Sequence, residues 1–385
     1  MDNEITSDTS ENKINILLHF IRKNAVLCIA ALAAVITSFI VPPDMEYVGY
    51  FNLKTLSCLF GTLVVICALK NIRFFTVLAE KIISLTGNLR SATIALIYIT
   101  FIGSMIIAND MALITFLPLG YYVLYCTQNE KYMARLFVLQ NISANLGGML
   151  TPFGNPQNLY LYSFFKIPTG EFMWIMLFPF LLSVILLTVC CFMFPKTSLK
   201  YENHHKKRLP RKKTAYYLVL FSVSIFIVFG TIPYYIGLPL VFIGVLLFDR
   251  DAVLQVDYAL LMTFVFFFIF AGNMARIDAV NKLLSFLLSK NTLLFSVLSC
   301  QFISNVPSAV LLSHFTLDYR SLLLGVNIGG TGTIIASLAS LITFKNYVFY
   351  NKNKAGRFLL TFTVYNFSFL AILTLFCMLL TAFLF

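Results

Sequence analysis

Asn145-Leu-Gly-Gly-Met-Leu-Thr-Pro-Phe-Gly-Asn155 returns in the second half of the chain as Asn327-Ile-Gly-Gly-Thr-Gly-Thr-Ile-Ile-Ala-Ser337. Both copies set asparagine, a glycine pair and threonine at matching positions inside long apolar segments. Each is preceded by a polar island, Ala108-Asn109-Asp110-Met111-Ala112 in the first half and Ser304-Asn305-Val306-Pro307 in the second. Glycine-interrupted helices at corresponding places in two halves point to the binding site of a transporter.

Composition sets the solvent. The chain of 385 residues is 59% hydrophobic and 11% charged. A soluble protein of that length cannot bury so much apolar surface, so an all-α polytopic membrane protein in a lipid bilayer is expected. The net charge of +12 would suit nucleic acid in a soluble chain. Here it reads as topology, and no nucleic-acid partner is expected. Residues 196–213 alone hold eight Lys or Arg against Glu202. The eight cysteines form no CxxC pair, so neither a zinc site nor a disulfide framework is indicated. They read as small buried hydrophobes. Residues 1–13 are polar and include Asp2, Glu4, Asp8 and Glu11. No basic region leads straight into a short apolar core, so the first apolar helix is expected to stay in place.

The apolar stretches predict helices over 25–41, 51–69, 91–107, 111–126, 131–165, 170–195, 215–231, 238–249, 258–272, 292–303, 307–317, 321–350 and 358–384. A full crossing needs about 20 apolar residues. The pairs 91–107/111–126 and 292–303/307–317 are short and closely joined. They predict two re-entrant hairpins, 91–126 and 292–317, with tips at Asn109–Asp110 and Asn305–Val306. The segments 131–165 and 321–350 are the two broken helices. The chain then divides into a polar N-terminus (1–24), a first half (25–195), a basic linker (196–214) and a second half (215–385).

Lys and Arg collect on cytoplasmic loops. Arg22 and Lys23 therefore put the N-terminus in the cytoplasm, and the loop at 42–50, with Asp44 and Glu46, falls outside. Lys70, Arg73, Lys81 and Arg90 flank an amphipathic segment inside, as do the linker and Lys345, Lys352, Lys354 and Arg357. With nine crossings and two hairpins, the C-terminus emerges on the outer side of the inner (cytoplasmic) cell membrane. The first broken helix then runs outward and the second inward. The two units, roughly 45–195 and 235–385, make an inverted repeat, a design that supports alternating access.

The same residues suit an ion and solute site. Gly147, Gly148, Pro152, Gly154 and Pro156 exclude an unbroken helix through 145–158. Unwound backbone frees carbonyls for a cation and starts a new helix whose N–H groups can hold an anion. Asn155-Pro156 has the chemistry of such a start, asparagine as N-cap and proline at the first helical position. In the second copy Gly329-Gly330, Gly332 and Ser337 are expected to play the same parts. Thr151 and Thr333 add uncharged hydroxyls. Asn109 and Asn305 can offer an oxygen to a cation or an amide N–H to an anion, and Pro307 presets the returning half-helix. Asn158 completes the first motif, and Ser304 stands at the second tip. Asp110 is a carboxylate inside an apolar hairpin, where an ionisable group is a functional candidate by default. The plainer readings are that Asp110 caps the half-helix starting at Met111 and that the glycine pairs are close-packing positions.

These motifs, Asn109-Asp110-Met-Ala with Gly147-Gly148-Met-Leu-Thr-Pro-Phe-Gly-Asn-Pro-Gln-Asn158, and Ser304-Asn305-Val-Pro307 with Gly325-Val-Asn327-Ile-Gly-Gly-Thr-Gly-Thr333, resemble the ion transporter superfamily. That group includes arsenite efflux permeases, citrate-transporter-like proteins, divalent anion:sodium symporters and some Na⁺/H⁺ antiporters. The resemblance covers the chain from about residue 25. It implies an elevator mechanism, in which a transport domain holding both hairpins and both broken helices slides against a scaffold, often within a homodimer. The divalent anion symporters carry a Ser-Asn-Thr type tip in both hairpins; here Asp110 and Val306 replace that threonine. The Asn-Asp tip with the Asn-x-Pro tip looks more like the arsenite-permease and citrate-transporter-like branch.

The expected function is therefore secondary active transport of a small anion, a carboxylate or an inorganic oxyanion, coupled to Na⁺ or H⁺. Ion coupling falls to Asn109, Asp110, Gly154, Ser304, Asn305 and Gly332, and no cofactor is expected other than Na⁺ at the hairpin tips as a coupling ion. Solute binding falls to Asn109, Thr151, Asn155, Asn158, Asn305, Pro307, Thr333 and Ser337. Arsenite or metalloid efflux and Na⁺/H⁺ exchange stand as alternatives. A passive channel is another, since Asn155-Pro156-Gln157 resembles the half-helix caps of water channels, although Ser337 breaks the parallel. The chain holds no HExxH, GxSxG or GxGD motif and no phosphate-binding GxxxxGK[ST] loop, so no enzyme or nucleotide-driven pump is expected.

Overall fold

The computed structural model describes residues 24–198 and 209–384. Most of the expected polar N-terminus, with Arg22 and Lys23, and the middle of the basic linker lie outside these residues. Among the described residues the regular elements are helical, apart from one isolated bridge between Asn88 and Ser198. The first half contains α1 (Ala25–Ile40), the single turn α2 (Tyr47–Tyr50), α3 (Leu53–Asn71), α4 (Phe74–Ile83), α5 (Leu89–Ile107), α6 (Asn109–Cys126), α7 (Met133–Gly147), α8 (Pro156–Phe164) and α9 (Thr169–Phe192). The second contains α10 (Arg211–Val228), α11 (Tyr234–Phe248), α12 (Arg250–Leu254), α13 (Tyr258–Arg276), α14 (Asp278–Ile303), α15 (Asn305–Leu312), α16 (Tyr319–Ile328), α17 (Leu338–Tyr350) and α18 (Ala355–Leu384).

Local chemistry fixes many of the boundaries. A capping box of Asn88 and Ser91 opens α5, and the carboxylate of Asp257 accepts the Leu260 N–H at 2.9 Å to open α13. Asp318 does the same for α16 through Ser321. Asn291 leaves the helical region, so α14 is two helices joined at a kink. Its side chain then caps the second piece by accepting the Leu294 N–H at 2.8 Å.

The helices form two packed groups. In one, α1 lies along α13, and α10, α11 and α12 surround α3; the other gathers α5–α9 with α14–α18. Each group draws helices from both halves of the chain. They meet where α15 rests on α13 and α8 on α3. At the far end of the α1–α13 pair, the Asn273 amide donates to the hydroxyls of Thr37 and Ser38 at 3.3 Å. Arg276 there grips Asp44 with two bonds of 3.0 and 2.6 Å.

The protein is a multi-pass membrane protein. Leu53–Asn71, Leu89–Ile107, Thr169–Phe192, Tyr258–Arg276, Asp278–Ile303 and Ala355–Phe383 are long and apolar enough to cross a bilayer, while Ala25–Ile40 and Tyr234–Phe248 are apolar but shorter. Exposed Leu32, Ile36 and Phe39 on α1 and Ile185 and Val189 on α9 suit contact with acyl chains.

The expected elements are present with four corrections. The first hairpin arm begins at Leu89, two residues before the expected start, and is 19 residues long, enough to cross by length, because the Asn88 cap opens it earlier. The returning arm of the second hairpin is Asn305–Leu312 rather than 307–317, since Ser313–Phe315 turn away in successive tight turns. The stretch 278–290 is helical where no helix is expected; Leu283 and Phe286 stand exposed on it. Asp110 does not cap α6, which starts one residue before it and takes no side-chain cap.

Candidate functional site

Both tips are built alike. Ala108 (φ 64°, ψ 152°) and Ser304 (φ 75°, ψ 159°) hold backbone angles that non-glycine residues rarely adopt, a strain of about 1–3 kcal/mol each. The next residue then braces each turn. Asn109 Oδ1 accepts the Asp110 N–H, and Asn305 Oδ1 accepts the Val306 N–H, both at 2.9 Å. The unwound segments also dock alike: Thr151 donates to the Met105 carbonyl at 2.8 Å and Thr333 to the Gln301 carbonyl at 3.1 Å. Met105 and Gln301 each lie three residues before their strained tip. The correspondence seen in the motifs thus extends to hydrogen bonds between elements.

The two broken helices meet through amides. Asn327 Oδ1 accepts from both Asn155 and Gln157 at 3.4 Å, and its amide donates to Asn158 Oδ1 at 2.6 Å. Asn158 donates in turn to the carbonyls of Gly148, Met149 and Thr151, each at 3.2 Å. Asn155 also donates to the Asn145 carbonyl, whose own side chain accepts from Asn109. The expected N-cap bond from Asn155 is missing: its amide donates across the crossing, and its Oδ1 accepts no bond from the start of α8. Ser337, at the matching place, does cap α17 by accepting the Ser340 N–H at 3.2 Å.

Both tips and the start of α8 border a cavity of about 320 Å³. The starts of four helices face it: Asn109 and Asp110 of α6, Pro156 and Gln157 of α8, Asn305 and Pro307 of α15, and Leu338 of α17. The opposite wall comes from the first parts of α1 and α13, with Ala30, Ala33, Leu260 and Phe267. No Lys, Arg or His is among the lining residues. Helix N-termini carry partial positive charge, each about half an elementary charge, so the cavity offers an anion dipoles in place of cationic side chains.

Of the expected site residues, Asn109, Asp110, Ser304, Asn305 and Pro307 line the cavity. Thr151, Gly154, Asn155, Asn158, Gly332, Thr333 and Ser337 do not line it. Gly332 has φ +124°, and a side chain there would strike Gln301. The sequence reading missed Gln157, which lines the cavity, is 1% exposed and leaves its Oε1 unpartnered. Asp110 Oδ1 and Asn155 Oδ1 are likewise buried without hydrogen-bond partners, whereas no oxygen at the second tip is so placed. Unsatisfied oxygens of this kind suit a small hard cation; one belongs to the first tip and two to the start of α8.

Gln301 is the second omission. Its amide donates to the Gly329 and Thr331 carbonyls at 2.9 and 3.3 Å, and its Oε1 accepts the Thr333 N–H at 2.9 Å. Gln301→Leu is expected to lower stability by roughly 1–3 kcal/mol by orphaning these groups, whereas Met105→Leu, at the matching position, changes little. Thermal unfolding in detergent measures both; equal midpoints would mean that the Gln301 contacts contribute nothing.

The sequence pattern of the family described as citrate transporter matches residues 14–321. The chain belongs to the citrate transporter family. The match takes in both hairpin tips and the first broken helix and ends short of Asn327. Among relatives of this citrate transporter family member, an uncharacterized transporter of Methanocaldococcus jannaschii is 35% identical over 318 residues, 82% of this chain and 86% of that one. The inner membrane protein YbiR of Escherichia coli is 28% identical over 319 residues, 80% of this chain and 84% of its own. An uncharacterized transporter of Haemophilus influenzae is 30% identical over 213 residues, 50% of this chain and 45% of that one. Family and relatives agree with the resemblance drawn from the motifs: the protein is a membrane transporter, not an enzyme.

Proposed function

We propose that the protein is a secondary active transporter that carries a small anion, a carboxylate or an inorganic oxyanion, across the cytoplasmic membrane with Na⁺ or H⁺. One observation carries this reading: four helix starts, two of them hairpin tips, converge on a single cavity beside a carboxylate. Convergent N-termini favour an anion, and the family description, which names citrate, supports a carboxylate. Asp110 takes the coupling role, either holding Na⁺ with the free oxygens of Asn155 and Gln157 or carrying a proton. Movement follows an elevator scheme in an inverted repeat, with α5–α9 and α14–α18 as carriage and α1, α3 and α10–α13 as scaffold. The two packed groups support that division, since each mixes helices from both halves. The working unit is a homodimer with a cytoplasmic N-terminus, nine crossings, two re-entrant hairpins and an outer C-terminus.

A neutral metalloid acid is the second reading, favoured by a cavity without Lys, Arg or His. A thermal-shift panel separates the two. Carboxylates, sulfate, phosphate and arsenite are each offered with Na⁺ or choline at two pH values. A ligand at 100 times its Kd stabilises the fold by about 2.7 kcal/mol. Stabilisation by an anion that needs Na⁺ or low pH is the expected result; stabilisation by arsenite alone transfers the case to the metalloid, and a response to Na⁺ without any anion favours cation exchange. Asn109→Ala and Asn305→Ala are each expected to impair proteoliposome uptake, because each removes the brace of a strained tip. Normal uptake by either variant would take that tip out of the site.

A further inference from the structure

The cavity is lopsided in its chemistry. Its polar end is made by Asn109, Asp110, Gln157, Ser304 and Asn305, and its remaining surface is hydrocarbon except for Thr263. Ala33, Leu260, Phe267, Phe270 and Leu341 supply much of that surface. A dicarboxylate or tricarboxylate would set its further charged groups against apolar walls that weaken solvation, in a space whose lining holds no Lys, Arg or His. An inorganic oxyanion has the opposite defect: it leaves the hydrocarbon wall without a partner while its own oxygens face that wall desolvated.

We propose that the solute is a monocarboxylate with a compact hydrocarbon body. Its carboxylate lies at the polar end, and its body lies against Ala33, Leu260 and Phe267. This narrows the proposed anion transport and rests on that reading. Size agrees: a cavity of about 320 Å³ is roughly twice the 150 Å³ apolar space known to admit benzene. It therefore has room for a short aliphatic or a benzoic acid with its polar end hydrated.

The test is a series of acetate, butyrate, hexanoate and benzoate against citrate and sulfate, bound to the full chain in nanodiscs and read by titration calorimetry. Each methylene buried against the apolar wall is expected to lower Kd by roughly fourfold. Ala33→Phe, which fills the body's place, should flatten the series, and Leu260→Ala, which lengthens the space, should move its optimum to a longer acid. Citrate or sulfate binding more tightly than hexanoate, with no dependence on chain length, would overturn the monocarboxylate while leaving anion transport in place. Failure of every carboxylate and oxyanion to bind would overturn both.

Discussion

Asp110→Asn is expected to abolish coupled transport and leave the fold intact. The carboxylate Oδ1 is buried without a hydrogen-bond partner, so the substitution breaks no bond at that oxygen and removes a charge from an apolar hairpin, where charge is costly. Stability should therefore hold or rise. Function should not survive, because asparagine neither carries a proton nor offers a cation full negative charge. Coupling energies of about 1–3 kcal/mol correspond to roughly 5–150-fold, so ion-driven uptake in proteoliposomes should fall by about two orders of magnitude. Asp257 is an exposed cap of α13, and Asp257→Asn should have a much smaller effect. Uptake by Asp110→Asn that still follows Na⁺ or pH would remove this residue from the coupling step.

Gly147→Ala is expected to be among the most destabilising single-methyl changes in the chain. A Cβ there would lie 2.1 Å from the Phe101 carbonyl oxygen and 2.6 Å from Ser104 Oγ. The first obstacle is backbone, so α7 must move off α5, at the upper end of the roughly 1–3 kcal/mol usual for overpacking. The displacement reaches the site, because α7 leads into Gly148 and the unwound stretch. Gly170→Ala is the control: nothing lies within 4 Å of its added carbon, and alanine suits a helix better than glycine. Thermal unfolding of the two variants should diverge, Gly147→Ala falling by several degrees and Gly170→Ala holding or rising. Matched midpoints would mean that α5 and α7 do not depend on close contact.

The hairpin tips and broken helices were legible because their signal is local. Glycine and proline interrupt the apolar runs at 147–156, and asparagine stands where no lipid-facing residue would. Gly147 satisfies the plainer reading too, for it is a close-packing position and the last residue before the break. What escaped notice depends on contacts far apart in the chain. Asn155 looked like a helix cap, yet its Oδ1 caps nothing while its amide donates to Asn145 and Asn327. Gln157 and Gln301 sit in ordinary helical surroundings, and their roles arise from neighbours brought in by folding. The apolar wall was equally hidden: Ala33 and Phe267 face the cavity, Leu32 and Phe39 face outward, and composition alone cannot separate those surfaces. The helix at 278–290 was missed because its apolar residues are interleaved with Asp278, Asn281, Lys282 and Lys290, a pattern too mixed to read as a membrane segment.

The placement of the cavity against α1 and α13 sets a distance. In the proposed cycle these helices are the track, and the cavity lies against it from Val26 to Ala33 of α1 and from Leu260 to Phe270 of α13. The track is closed beyond that stretch by Asn273 on Thr37 and Ser38 and by Arg276 on Asp44. At ~1.5 Å per residue, about 6 Å of α1 separates Ala33 from Thr37 and about 5 Å of α13 separates Phe270 from Asn273. The stroke in that cycle is therefore about 5 Å, a sixth of the ~30 Å hydrocarbon core. So short a carriage movement exchanges access only if water reaches deep into the protein from both faces, leaving a thin barrier for the solute to cross.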